Sequence, residues 1–357
     1  MRAMMRRRTV LGCLGIAGLL LRDGIAASPM VVADQADTAV SDYAILVCGP
    51  RGGRIDRWSR AFAQGIGGTL SPHRPIQLQR VGGEDGVTGA NRLQTMVVPD
   101  GRTAAVLPSE AIIAFLTGDP RVHFQPGDWI PVMAGIAAAV LVVRGGLPRL
   151  ADPAPIRLAA ASPESPDLAA LLAFHRLGVS TAPIFGLRGA PAIVRAFAAG
   201  EADAVLLTGE DVPADAASLS AYGGEAIGTL GVVDAHGRIM VDPLMSDLPT
   251  IEAIAEKRGS APLPPALEQA YRGVAAASRI DFMTVLPHLT TPTSVAAWRQ
   301  AAEAAGDMQA MQAAAAASAI TLTVMGAAAA AAPIDVAADG LLALRQFLFQ
   351  HFGWHPS

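Results

Sequence analysis

An apolar run from Tyr43 to Cys48 leads into Pro50-Arg51-Gly52-Gly53-Arg54-Ile55-Asp56, and Trp58, Phe62 and Ile66 then recur at four-residue spacing. Strand, glycine turn, helix is an arrangement that gathers free backbone N–H groups and the positive end of a helix at one point, and such a point attracts an anion. Gly52 and Gly53 allow backbone angles that a side chain forbids, and they let a ligand come close to the main chain. Asp56 is placed to cap the helix by accepting N–H bonds from its first turn. The same residues also make a plain tight turn, which is common between strand and helix. The loop alone therefore does not define a site.

The alternation continues. Strands are expected at 76–81, 102–107 and 138–143, with helices at 90–97 and 111–116 between them. The pattern restarts with a strand at 156–160, helices at 168–177 and 192–199, and strands at 182–185 and 204–207. Such alternation argues for an α/β fold of mainly parallel sheets flanked by helices. Helical patterns at 267–277, 294–305 and 341–352 have to pack somewhere, and the first α/β unit is the natural place. The expected organisation is a leader at 1–27, a first domain built from 40–144 plus 255–357, and a second domain at 145–254.

The leader is read from Arg6-Arg7-Arg8 followed by an uncharged apolar run, Thr9 to Leu21, too short to span a bilayer. Arg7-Arg8-Thr9-Val10-Leu11-Gly12 resembles a twin-arginine export signal, and a general secretory signal fits as well. The chain carries a formal charge of −4; residues 1–26 hold five arginines and one aspartate, so the remainder is at about −8. That balance argues against nucleic acid as a partner. Past the leader Cys48 is the only cysteine, so no intrachain disulfide is expected there, and a buried thiol is the natural reading.

An enzyme is one class to be weighed. The chain has no Gly-x-Ser-x-Gly elbow, no Gly-x-x-x-x-Gly-Lys phosphate loop and no His-Glu-x-x-His. Its histidines show no metal-ligand spacing, so neither a metal nor a cofactor is expected.

Several short motifs, in order and correctly spaced from about residue 43 to 250, resemble those of the substrate-binding proteins of tripartite tricarboxylate transporters, the Bug family. The first loop, Arg51 to Asp56 and then Arg60, resembles the family's P-G-G-G-T-D with a following arginine. Val98-Pro99-Asp100-Gly101, Asp128-Trp129-Ile130-Pro131-Val132 and Leu248-Pro249-Thr250 are similar to further family segments. The resemblance implies a two-domain, periplasmic binding protein-like fold with a hinged cleft. It implies a monomer, exported to the periplasm, that closes on a small organic carboxylate and serves a transmembrane permease without being an enzyme. A ligand sensor presenting its closed form to a receptor would need the same cleft. Carried over by position, the ligand-binding residues are Arg51, Gly52, Gly53, Asp56, Pro108, Ser109, Ser162, Ser165 and Thr208, with backbone N–H groups as the main donors. The chain departs from the family pattern at Pro163-Glu164-Ser165-Pro166, where an acid enters the second-domain loop. A ligand with a cationic group is one expectation from that departure.

Overall fold

The computed structural model describes residues 42–234, 236–324 and 336–356. The expected leader and the alanine run at 327–332 lie outside these residues. β1 (Ala44–Val47) is buried along its whole length, as its unbroken apolar run requires of a central parallel strand. α1 (Arg54–Leu70) turns Ile55, Trp58, Phe62 and Ile66 inward, and Trp58 stacks on Phe282 with ring centroids 4.6 Å apart. β2 (Gln77–Arg80), α2 (Val87–Met96), β3 (Thr103–Leu107), α3 (Glu110–Thr117) and β4 (Ile130–Ile136) complete the first pass. The chain then builds β5 (Val140–Arg144), β6 (Ile156–Ala159), α4 (Leu168–Arg176), β7 (Thr181–Ile184), α5 (Ala190–Ala198), β8 (Ala204–Leu207), α6 (Val212–Ser220) and β9 (Gly224–Thr229). A small hairpin, β10 (Val232–Val233) with β11 (Ile239–Met240), precedes α7 (Ile251–Arg258) and α8 (Pro265–Ser278). The last elements are β12 (Ile280–Leu286), α9 (Pro292–Gly306), α10 (Gln309–Ala317), β13 (Thr321–Val324) and α11 (Ala338–Phe352).

The strands form a six-stranded sheet in the order β13-β4-β12-β3-β1-β2 and a five-stranded sheet in the order β7-β6-β8-β5-β9. In the first, β1 runs parallel to β2 and β3, while β12 and β13 pair antiparallel. In the second, β6 is parallel to β7 and β8, while β5 is antiparallel to β8 and β9. The expectation of mainly parallel sheets is corrected: both are mixed. Parallel neighbours need a crossover within one sheet, whereas β4, β5, β9 and β12 are the strands by which the chain leaves one sheet and returns from the other. The change of sheet falls at residues 137–139, so β5 pairs in the second sheet, although a boundary after residue 144 had put it with the first.

The two passages between the sheets touch. The Ala137 N–H donates to the Arg279 carbonyl at 2.8 Å, and the Leu230 N–H donates to the Ala139 carbonyl at 3.0 Å. The Arg279 guanidinium, itself buried, donates to Asp242 Oδ1 at 2.8 Å, and the Asp242 side chain is fully enclosed. Cys48 is buried, with its thiol pushed up by burial. A Cβ at Gly89 would come within 2.1 Å of its sulfur, so the thiol is packed as a core group.

Candidate functional site: the cleft between the sheets

A cavity of about 740 Å³ lies at the C-terminal ends of β6 and β8, walled on one side by the loop after β2 and the first turns of α1 and α3. The carboxyl end of parallel strands is where α/β sheets hold ligands, because helix N-termini converge there. The first sheet's connections contribute Arg54, Glu84, Asp85, Glu110, Asp119 and Arg121. The second sheet's connections contribute Ser162, Glu164, Ser165, Asp167, Arg188, Thr208 and Asp215.

Of the residues expected from sequence, Ser162, Ser165 and Thr208 line this cavity. Arg51, Gly52, Gly53, Asp56, Pro108 and Ser109 are not on its wall. Arg51 is exposed to solvent. Gly53, and not Asp56, occupies the N-cap position of α1, and Asp56 is the third helical residue. From there its carboxylate reaches back to accept the Gly52 N–H at 2.8 Å, and it pairs with Arg60 at 2.7 Å. Burial alone would raise this carboxyl, but the bonds from Arg60 and Gly52 and the charges of Arg60 and Arg80 hold it below its usual value. Gly52 itself takes a positive φ of 75°, which the loop's turn requires. The Gly53 N–H donates to the Pro50 carbonyl at 3.1 Å. Both glycine N–H groups of the first loop are thus bound within the chain. Pro108 serves packing: a Cβ on Gly86, whose φ is +74°, would lie 2.6 Å from Pro108 Cδ. Ser109 sits at the N-cap position of α3 without a side-chain cap bond, its hydroxyl 3.4 Å from Glu110 Oε2.

The second loop repeats the pattern. Asp167 Oδ2 accepts the Ala161 N–H at 2.8 Å and lies 2.9 Å from Ser165 Oγ, and that hydroxyl also lies 2.8 Å from the Ser162 carbonyl. In each of the two loops a carboxylate of the chain takes a loop N–H.

The three arginines of the wall are likewise engaged. Arg54 contacts Asp281 at 2.7 Å and Glu110 at 3.4 Å. Arg121 pairs with Asp119 at 2.5 Å and with Asp85 at 2.8 Å. Arg188 approaches Glu84 at 3.8 Å, between two exposed side chains. On the acidic side, Glu164 accepts the Trp354 indole N–H at 3.0 Å. Burial raises the carboxyl of Asp215, and the charge of Asp211 adds to the effect. Asp167 is pushed up to about 6, chiefly by burial, with Glu110 adding and its hydrogen bonds opposing. Sequence reasoning missed Glu110, Asp167 and Asp215 as wall residues. The available signal was their place at or near the first turn of a helix that follows a strand.

Asp167 carries a pH prediction. Its native carboxyl keeps a proton at pH values where the unfolded chain, near 3.8, has lost it. The stability this gives is present at low pH and is lost as pH rises from about 4 through 6. Asp167→Asn keeps an oxygen to accept the Ala161 N–H and removes the charge. The variant should match wild type near pH 4 and exceed it at pH 8 by on the order of 2 kcal/mol. Melting curves at the two pH values decide it; an equal difference at both would show that the carboxylate is not desolvated.

No family model and no curated protein matches the chain. Solved structures do share its fold. It is similar to a TctC solute binding protein from Polaromonas, with a TM-score of 0.60 at 18% identity over 86% of this chain and 98% of that one. It is similar to the periplasmic binding protein BugD, with a TM-score of 0.53 at 17% identity over 87% of this chain and 97% of that one. MatC from Rhodopseudomonas palustris, solved with bound malate, gives 0.50 at 18% identity over 87% of this chain and 96% of that one. The chain therefore has the two-domain fold of periplasmic binding proteins. Within that class its fold is the one found in the TctC and Bug solute-binding proteins.

Proposed function

We propose that this chain is an exported solute-binding protein that takes a small polar organic molecule into the cleft and presents the closed form to a transmembrane permease of tripartite type. The observation that carries this reading is the polar cavity of about 740 Å³ walled by loops from both sheets. Two passages tied at Arg279 give such lobes a compact pivot, and closure around a ligand needs a pivot of few residues. We assign the lobes by sheet, with β1 to β4, β12 and β13 in one and β5 to β9 in the other. Ser162, Ser165 and Thr208 belong to the ligand wall in this reading, as does Arg54 of the first loop, while Arg51, Gly52, Gly53 and Asp56 lie off it. No chemistry on a bound molecule is assigned to the cleft.

The resemblance and the malate held by MatC point to a carboxylate as ligand. The wall supports that part of the reading poorly, since its arginines are already paired. The test of solute capture itself is independent of ligand charge. Saturating ligand, at a hundred times its dissociation constant, should add about 2.7 kcal/mol of stability, a rise of roughly a few degrees in Tm. Thr208→Trp, which fills the cavity from the end of β8, should abolish that rise. A ligand whose effect survives Thr208→Trp binds elsewhere, and the cleft reading then falls.

A further inference from the structure

The wall of the cleft holds seven carboxylates and three arginines. All three arginines already face acids of the chain: Arg54 faces Asp281 and Glu110, Arg121 faces Asp85 and Asp119, and Arg188 faces Glu84. Glu164, Asp167 and Asp215 have no cationic partner among the described residues. An entering dianion would meet an excess of negative charge and no free guanidinium.

The backbone leads to the same conclusion by a separate route. On the cavity wall, the Ala161 N–H is taken by Asp167. This is a donor that the second-sheet loop would offer to a carboxylate in the cavity, and it is satisfied by a carboxylate of the chain itself. Acids at helix first turns complement the helix dipole, which accounts for where Glu110 and Asp215 stand on the wall. That same placement uses up the helix ends as anion sites, so it strengthens the argument. A bare metal ion fits less well, because among the described residues no three His, Cys, Asp or Glu side chains are grouped to hold one.

Building on the solute-capture reading, we propose that the ligand of this cleft is a small organic cation, a molecule bearing one or more protonated amines, neutralised by Asp167 and Asp215 with Glu164 at the rim. Burial pushes the Asp167 carboxyl up when no cation is present, and a bound ammonium group would favour its charged form.

The test is calorimetric titration of the full chain with putrescine, spermidine, L-arginine, succinate, malate, adipate and calcium chloride. An amine should bind at least ~10-fold more tightly than any of the dicarboxylates, and its affinity should fall as salt is raised. Asp167→Asn and Asp215→Asn should each weaken it by about tenfold or more. Each variant should melt no lower than wild type at pH 8, which separates lost binding from lost folding. Preference for a dicarboxylate overturns the inference and leaves solute capture standing. So does binding of calcium alone, or amine binding indifferent to both variants. Silence across the whole panel overturns the inference, and if no small molecule co-purifies in native mass spectrometry it overturns solute capture as well.

Discussion

Arg279→Met is expected to cost about 3–5 kcal/mol of folding stability, a fall of roughly 5–15 °C in Tm. Asp242 has a fully enclosed side chain, and among the described residues Arg279 supplies its only cationic contact, at 2.8 Å. The Asp242 carboxylate also accepts the Leu244 N–H at 3.0 Å through the same oxygen, while its other oxygen has no hydrogen-bond partner among the described residues. Removing the guanidinium leaves a buried charge with one backbone bond to hold it. Burial already lowers the Arg279 pKa against the pull of Asp242, so the pair spends much of its attraction on desolvation. The double variant Asp242→Leu with Arg279→Met should therefore lose less than Arg279→Met alone. Chemical denaturation of wild type, both single variants and the double variant measures this. A single variant as stable as wild type would mean that the pair is wetter than its burial indicates.

Arg54→Met is the second large effect, about 2–4 kcal/mol at pH 7 to 8. Arg54 is the first residue of α1, and it reaches Asp281 on β12, whose side chain is fully enclosed. Burial raises the Asp281 carboxyl, and Arg54 is what opposes that rise. Without Arg54 the native carboxyl binds its proton more tightly than the unfolded chain does. Stability is then lost as pH rises from the unfolded pKa through the raised native one, so the deficit should shrink toward pH 4. Arg54→Met combined with Asp281→Asn should recover most of it at pH 8, because a neutral amide is cheaper to bury. A deficit that stays constant with pH would assign the loss to packing of the arginine stem instead.

The same two residues show why β12 was not legible in the sequence while β1, β3 and β8 were. Those strands are unbroken apolar runs. Ile280–Leu286 is as thoroughly buried, yet Asp281 and Thr284 interrupt its pattern. The partner that makes a buried aspartate tolerable lies 227 residues away, at Arg54. Helices α1, α4, α8, α9 and α11 announced themselves by periodicity, and the strand-turn-helix order announced the α/β class. Strand direction was not readable, because nothing in the apolar runs of β4 and β5 says that the chain changes sheet between them. Ser162, Ser165 and Thr208, carried over by position from the resemblance, line the cavity. In the first loop the sequence placed Asp56 as an N–H acceptor, but no local pattern says that it reaches back to the Gly52 N–H from the third helical position. Whether an acid in a helix's first turn faces a cavity depends on how the second sheet is set against the first, and no local pattern encodes that.

The place of β12, inserted between β3 and β4, sets an order of events during synthesis. The second sheet is assembled from consecutive strands, β5 to β9, and is complete once residue 229 has emerged. The first begins earlier and finishes later, since its middle waits for residues 280–286. Until then β3 and β4 present bare edges on either side of a gap, the kind of surface that recruits foreign strands. Closing that gap joins segments far apart in the chain, which is slow. A chain that stops short of Ile280 would therefore carry one finished sheet and one adhesive half-sheet without its own centre.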